Sequence, residues 1–263
     1  VNLATAAKVP EDTSILVIAG PQSDLTLSEK EKIREYLENG GANAVFLFDP
    51  LNIDEKFEMF NDLLMDFNIT LNYDKVKEGD SNYHMPNDPY SLAATAKVSY
   101  FVSGLSDGMI FMPSSRSINI LKNEKTGVTV TPIITTTSKA VGVNIADGSE
   151  REGPLTLAAA VEYTGMADAR VDTTKILVMG NSQFTSDSVI TAAGQNGLIY
   201  FWAGINWMQG QQEQIIISSK AYETRTMDIS QAQANFLAIF VTVVLPLLIL
   251  GTGMVVWLRR RHL

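Results

Sequence analysis

The chain has 263 residues, with 20 Lys and Arg against 29 Asp and Glu for a net charge of −9, and it has no cysteine. That length is enough for one large or two small domains with proper cores. The missing cysteines exclude thiol catalysis, disulfides and thiolate metal sites, and the acidic balance argues against nucleic acid and tight adhesion to anionic headgroups. Proteins, neutral glycans or small molecules are the contacts that remain.

The chain opens at Val1 without a methionine, a basic n-region or an apolar h-region. It is therefore read as a fragment or processed product whose upstream signal or membrane helix is missing. Residues 15–19 form a continuous apolar run closed by Gly20 and Pro21, which suits a strand covered on both faces. Ser28 and Glu31 are spaced as a capping box, and Ile33, Tyr36 and Leu37 give a helix its inward stripe before Gly40 and Gly41 end it. A second buried strand is expected at 44–48, ending in Asp49 and Pro50. Strand, helix, strand at these lengths is a βαβ unit.

Phe57, Phe60, Leu63, Leu64 and Phe67 mark the apolar face of a second helix, and 69–71 returns to the sheet. Residues 75–89, rich in Gly, Asn, Asp and Pro, read as a surface loop. A helical turn near Tyr100 precedes apolar residues 109–112, and Ile118 and Ile120 alternate as in a half-buried strand. Strands are expected at 128–136 and 155–163, the first an edge or bulged strand because of Pro132. Residues 175–179 repeat the opening pattern and close on Gly180, Asn181 and Ser182. Leu198, Phe201, Trp202, Ile205, Trp207 and Met208 form an apolar helix, and 215–217 read as a last strand before a polar stalk.

No charge occurs between Asp228 and Arg259, and residues 236–258 alone give 23 residues, against the roughly 20 that a hydrocarbon core requires. The segment 235–258 is read as a membrane helix. Arg259, Arg260 and Arg261 after it place the C-terminus in the cytoplasm and everything ahead of it outside. Three of the 20 basic residues and none of the 29 acidic ones follow the span, so the part ahead of it carries 17 against 29, a balance of −12. Pro246 interrupts the span and favours a kink, while Gly251 and Gly253 expose backbone as a docking surface for a membrane partner. The expected organisation is an extracytoplasmic domain over 1–217, a stalk over 218–234, the span, and a tail over 259–263.

Chemistry in an open α/β sheet belongs beyond the carboxyl ends of parallel strands. Asp49, Asn181, Ser182 and Asp187 lie there and could line a crevice for a sugar or peptide, though Asp and Ser also favour turns and caps. Gly180 to Phe184 falls one residue short of a nucleophile elbow, and His84 is the one histidine ahead of the span, His262 belonging to the tail after it. No metal-ligand spacing, dinucleotide fingerprint or Walker loop is present, so no metal or cofactor is expected. Asn68, Ile69 and Thr70 match a glycosylation sequon, a pattern too common to use.

Several motifs recur in an informative order: Pro10-Glu-Asp with Ile15 to Pro21, Leu37-Glu-Asn-Gly-Gly41 before Val45 to Pro50, Gly153 to Glu162, Ile176 to Phe184, and the span ending in Trp257-Leu-Arg-Arg-Arg261. Over nearly the whole chain this order resembles the gliding-motility-type ABC transporter auxiliary proteins. The resemblance implies a mainly parallel α/β sheet flanked by helices, similar to class I glutamine amidotransferases without their catalytic cysteine, with additional strands. It also implies an ABC-type ATPase and permease as partners and an upstream membrane helix. Asn181 stands where the family usually has Asp, which weakens any chemical role there. The expectation is a non-enzymatic, membrane-anchored auxiliary subunit, the alternatives being a surface hydrolase or glycan-binding protein that uses the Asp49, Ser182 and Asp187 crevice, and a purely structural envelope component.

Overall fold

The computed structural model describes residues 1–38, 41–51, 56–103, 107–122, 125–167, 170–210 and 231–261. The chain divides into two units, Val1–Ile216 and Ile217–Leu263. The first opens with β1 (Leu16–Ala19), α1 (Leu27–Glu38), β2 (Asn43–Leu47) and α2 (Glu58–Met65). Short strands β3 (Ile69–Leu71), β4 (Asp74–Lys77) and β5 (His84–Met85) lead to β6 (Asp88–Ala96), the one-turn α3 (Val98–Phe101), β7 (Gly108–Pro113) and β8 (Ile118–Ile120). Then come β9 (Val128–Thr135), β10 (Val141–Asn144), β11 (Glu150–Glu152), β12 (Thr156–Ala167), β13 (Arg170–Met179), α4 (Asp187–Ala193) and α5 (Asn196–Met208).

Ten strands make one sheet with the main path β1-β2-β13-β12-β9-β6-β5, β7 lying on β6 and β8 joining β12 to β3. Parallel pairing is confined to β1 with β2 and β2 with β13. The remaining neighbours, from β13 with β12 through to β6 with β7, are antiparallel. The expected mainly parallel, amidotransferase-like sheet is thus corrected to a mixed, curled sheet dominated by antiparallel strands. A parallel pair needs a crossover of a dozen or more residues. Chain length between β12 and β13 is far too short for that, and their register closes at Ala167 and Arg170.

β2 and β13 are covered on both faces, as their unbroken apolar runs require. Ala44, Phe46, Phe48, Ile176 and Val178 join α1 and α2 in one core, while Val45, Leu47, Leu177 and Met179 face α5 in the other. β1 differs from its sequence reading. It is the outer strand of the sheet path, and its Val17 is 51% exposed. The stretch 75–89 also differs, since it holds most of β4, all of β5 and the start of β6. Charged residues flank a fully buried Val76, so its alternation is hidden by a polar composition. β4, β10 and β11 form a separate antiparallel sheet. β9 lies inside the main sheet rather than at an edge, and the bulge expected of Pro132 falls where its register with β12 shifts opposite Ala158 and Ala159.

Helix ends are held by a local cap in one case and by groups from elsewhere in the chain in others. The capping box of α1 sits two residues earlier than its sequence reading: Thr26 N and Oγ1 donate to the Glu29 carboxylate at 2.9 and 2.8 Å, and Glu29 N donates to Thr26 Oγ1 at 3.3 Å. Those bonds hold the Glu29 carboxyl below the usual carboxylate range. At the C-terminal ends, Thr174 Oγ1 donates to Leu37 O at 3.0 Å and Lys175 Nζ to Trp207 O at 2.7 Å. Two successive β13 residues therefore anchor α1 on one face and α5 on the other.

α2 starts from Phe57 in a left-handed conformation with no side-chain cap of its own. Asp24, in the β1–α1 connection, supplies one by accepting from Met59 N at 2.7 Å and Phe60 N at 3.1 Å. Asp24→Ala is expected to cost about 1 kcal/mol of stability, with Asp24→Asn losing only part of that. Equal denaturation midpoints for Asp24→Ala and the parent chain would remove this role. Asn68 is 3% exposed, with its side chain bonded to Lys125 N and Lys125 O at 3.0 and 3.4 Å. The sequon amide is spent inside the fold.

In the second unit, α6 (Gln231–Ile239) passes through a π-helical turn (Phe240–Val244) into α7 (Leu245–Arg261). Asn235–Arg261 spans 27 residues, and its most apolar 18-residue stretch has a mean hydropathy of 2.6, long and apolar enough to cross a membrane. Pro246 has no N–H to give to the helix, and the wider turn just ahead of it, closed by Leu245 N on Phe240 O, absorbs the mismatch. The expected last strand at 215–217, and the stalk as far as residue 230, lie outside the described residues.

Candidate functional site

Because β1, β2 and β13 run parallel in register, Ala19, Leu47 and Met179 lie side by side and the residues after them meet. Asp49 Oδ1 accepts from Ser182 N at 2.7 Å and Oδ2 from Ser182 Oγ at 2.5 Å. Gly20 closes the group at φ +57, where a Cβ would come within 3.3 Å of Ser182 Oγ and 3.4 Å of Asp49 Oδ2. Only glycine meets both demands at low cost. Asp49 and Ser182, paired by the sequence pattern, are thus paired in space.

Asn181 and Asp187 do not join them in a crevice. Asn181 is fully buried; its Nδ2 donates to Pro113 O and, at 3.4 Å, to Ser114 O, and its Oδ1 accepts from Phe184 N at 2.7 Å. Two backbone carbonyls face this side chain, so an amide donor fits where a carboxylate would be repelled. The residue locks the β7–β8 turn to the end of β13. Asp187 is exposed at the first turn of α4, where its carbonyl accepts from Thr191 Oγ1 at 2.7 Å.

Arg116 is the residue that sequence reasoning missed. It is 1% exposed, its Nε and Nη2 donate to Asn72 O at 3.0 and 2.6 Å, and its guanidinium stands 5.4 Å from the Phe57 ring centroid. Burial pushes its pKa down to about 10 against the opposing pull of Asp74, Tyr73 and Asp49, which leaves it charged at physiological pH. Its backbone is tied as tightly: Arg116 N donates to Gly180 O at 2.8 Å, and Gly180 N donates to Leu157 O at 2.7 Å. Beside it, Asp74 accepts from Ser117 N at 2.8 Å and Ser117 Oγ at 2.6 Å. The Asp49–Ser182 arrangement therefore occurs twice. A lone Arg within the small and apolar residues 109–118 is the signal that the sequence offers, and its depth cannot be read from it.

The chemistry of this cluster is that of a clamp. Ser182 donates its hydroxyl and its backbone N–H to the two oxygens of one carboxylate, which fixes the end of β13 to the end of β2. His84 has its Nδ1 2.7 Å from Met85 O in β5, at the other end of the sheet path from β1. Among the described residues no group of three His, Asp or Glu side chains is placed to hold a metal ion. A cleft of about 290 Å³ is lined by Lys8, Glu11, Lys32, Glu35 and Tyr36, and a hollow of about 260 Å³ by Tyr73, Asp74, Asn144 and Glu150. Neither includes Asp49 or Ser182.

Residues 1–199 match the model of the ABC transporter auxiliary family, described as an ABC-type uncharacterized transport system. The chain belongs to this family. The matched stretch contains every strand of the auxiliary protein's sheet and both serine clamps. No curated protein matches the chain. Solved structures do, among them one described as the mmIFT52 N-terminal domain, with a TM-score of 0.52 and 16% identity over 74% of this chain and 77% of that one. At that identity the likeness shows the fold alone.

Proposed function

We propose that this auxiliary protein is a non-enzymatic subunit of an ABC-type transport system, anchored in the cell membrane by its C-terminal helix. Its first unit works outside the cytoplasm, its arginine tail lies inside, and its partners are the ABC ATPase and permease. The observation that carries the reading is an apolar helix of 27 residues in a member of an ABC transporter auxiliary family. The arginine triplet at its end supports the sidedness. A structural use of the Asp49–Ser182 pair is supported by the Asp49 carboxylate, whose two oxygens are both engaged by Ser182. The hydrolase or glycan-binding alternative has no comparable observation behind it.

Pro246, Gly251 and Gly253 are the proposed contacts with the permease. Gly251 lines an apolar groove with Leu247, Leu248, Thr252, Val255 and Val256, whereas Gly253 lies two positions on and so about 200° around the helix. A Cβ at either glycine meets nothing within 4 Å, so larger side chains leave the helix itself intact. Solubilised full-length chain is expected to recover an ABC ATPase and permease, and Gly251→Leu to reduce that recovery more than Gly253→Leu. Recovery of neither partner by the parent chain would sink the assignment; equal recovery by all three would reduce the helix to a tether.

A further inference from the structure

Residues 188–212 contain no Asp, Glu, Lys or Arg, in a chain with 29 acidic residues. α5 occupies the middle of that stretch. Tyr200, Gly204 and Trp207 pack inward on Phe101 of α3 and Leu177 of β13. Phe201 and Ile205 pack partly buried on the same core, Phe201 against the Phe184 ring, and Leu198 and Trp202 beside them on the adjoining flank, at helical spacing, stay open at 39% and 59% exposure. Val17 of β1 is the register partner of Val45, which shares a core with α5, so its half-exposed side chain lies on the same sheet face. Large apolar surface left open in this way marks a contact.

We propose that this flank of α5 docks on the headgroup boundary of a neutral lipid bilayer, a reading that rests on the membrane-anchored assignment above. Two arguments select lipid as the occupant. Residues 209–230 join α5 to the helical span and reach no more than about 75 Å even fully extended, so the unit never leaves the neighbourhood of the membrane. The balance of −12 ahead of the span, from 17 basic against 29 acidic residues, repels anionic surfaces, and only an uncharged face can approach lipid without that cost. An indole with an apolar body and one N–H is the side chain that favours this boundary.

The chain carries three tryptophans, which make the test internal: Trp257 reports the span, Trp207 is 2% exposed, and Trp202 reports the flank. Full-length Trp257→Phe protein is reconstituted in phosphatidylcholine vesicles with acyl chains brominated near the headgroup. Its emission is expected to be quenched and blue-shifted, and the quenching to be lost when Trp202→Phe is added. Equal emission of Trp257→Phe in brominated and plain vesicles, while the Trp202→Phe single variant is quenched through Trp257, would overturn lipid docking and leave the anchor standing. No quenching in either single variant would overturn both. Quenching of Trp202 that appears only after an ABC partner is added would also overturn the lipid assignment.

Discussion

Gly180→Ala is expected to lower the stability of the first unit by more than about 3 kcal/mol, a loss large enough to reduce the yield of folded protein. A Cβ at position 180 would sit 2.0 Å from Arg116 O and 2.9 Å from Arg116 C. These are backbone atoms, so no rotamer change relieves the clash. Nor can either segment yield alone, since Gly180 N and O are bonded to Leu157 O and Arg116 N at 2.7 and 2.8 Å. Relief would open the ladder at the point where β13 delivers Asn181 and Ser182. Gly194→Ala is the matched control, because Gly194 has φ +83 but nothing within 4 Å of where the new methyl group would sit. It carries the conformational cost only, about 1 kcal/mol. Thermal or urea unfolding of the two variants in detergent measures the difference; similar midpoints would mean that Gly180 and Arg116 do not touch.

Arg116→Ala is the second large effect, with an expected loss of about 3 kcal/mol. The substitution removes the two donors to Asn72 O, opens a cavity against Phe57, and takes away a positive charge that attracts buried Asp74. Arg116→Met separates these causes, since it restores the volume and leaves the charge missing. Removing a buried charge while filling its space often costs little, whereas an unpaired buried group costs its full desolvation. Arg116→Met is therefore expected to fall between the parent and Arg116→Ala. A Met variant as unstable as the Ala variant would assign the loss to the guanidinium itself. Parent-like stability of Arg116→Ala would show that the buried cation contributes nothing to the fold.

Both variants act on a site that is half legible in the sequence. Asp49 and Ser182 stand out because each follows an apolar run that ends on a turn residue, a local pattern. Their mutual engagement at 2.7 and 2.5 Å needs β2 and β13 to be parallel neighbours, which is a property of the sheet. Asn181 reads as one wall of a crevice and is instead a buried lock between segments that are 67 and 68 residues apart. Arg116 has no sequence reading at all. A charged side chain advertises solvent exposure in sequence, and its burial here follows from which carbonyl and ring happen to surround it.

The sequence by itself determined the elements whose signals are local: the doubly covered strands β2 and β13, the amphipathic faces of α1 and α2, and the long apolar helix with its arginine flank. Each is set by periodicity or run length within one segment, and burial then follows from the hydrophobic effect. Tertiary structure alone decided the rest. It made the sheet mixed instead of mainly parallel, placed parts of three strands within residues 75–89, left β1 at an edge, capped α2 with Asp24, and gathered Asp49, Ser182, Arg116 and Asp74 at the strand ends. Strand direction, distant caps and the desolvation of a charge depend on partners far away in the chain, and no window of neighbouring residues contains them.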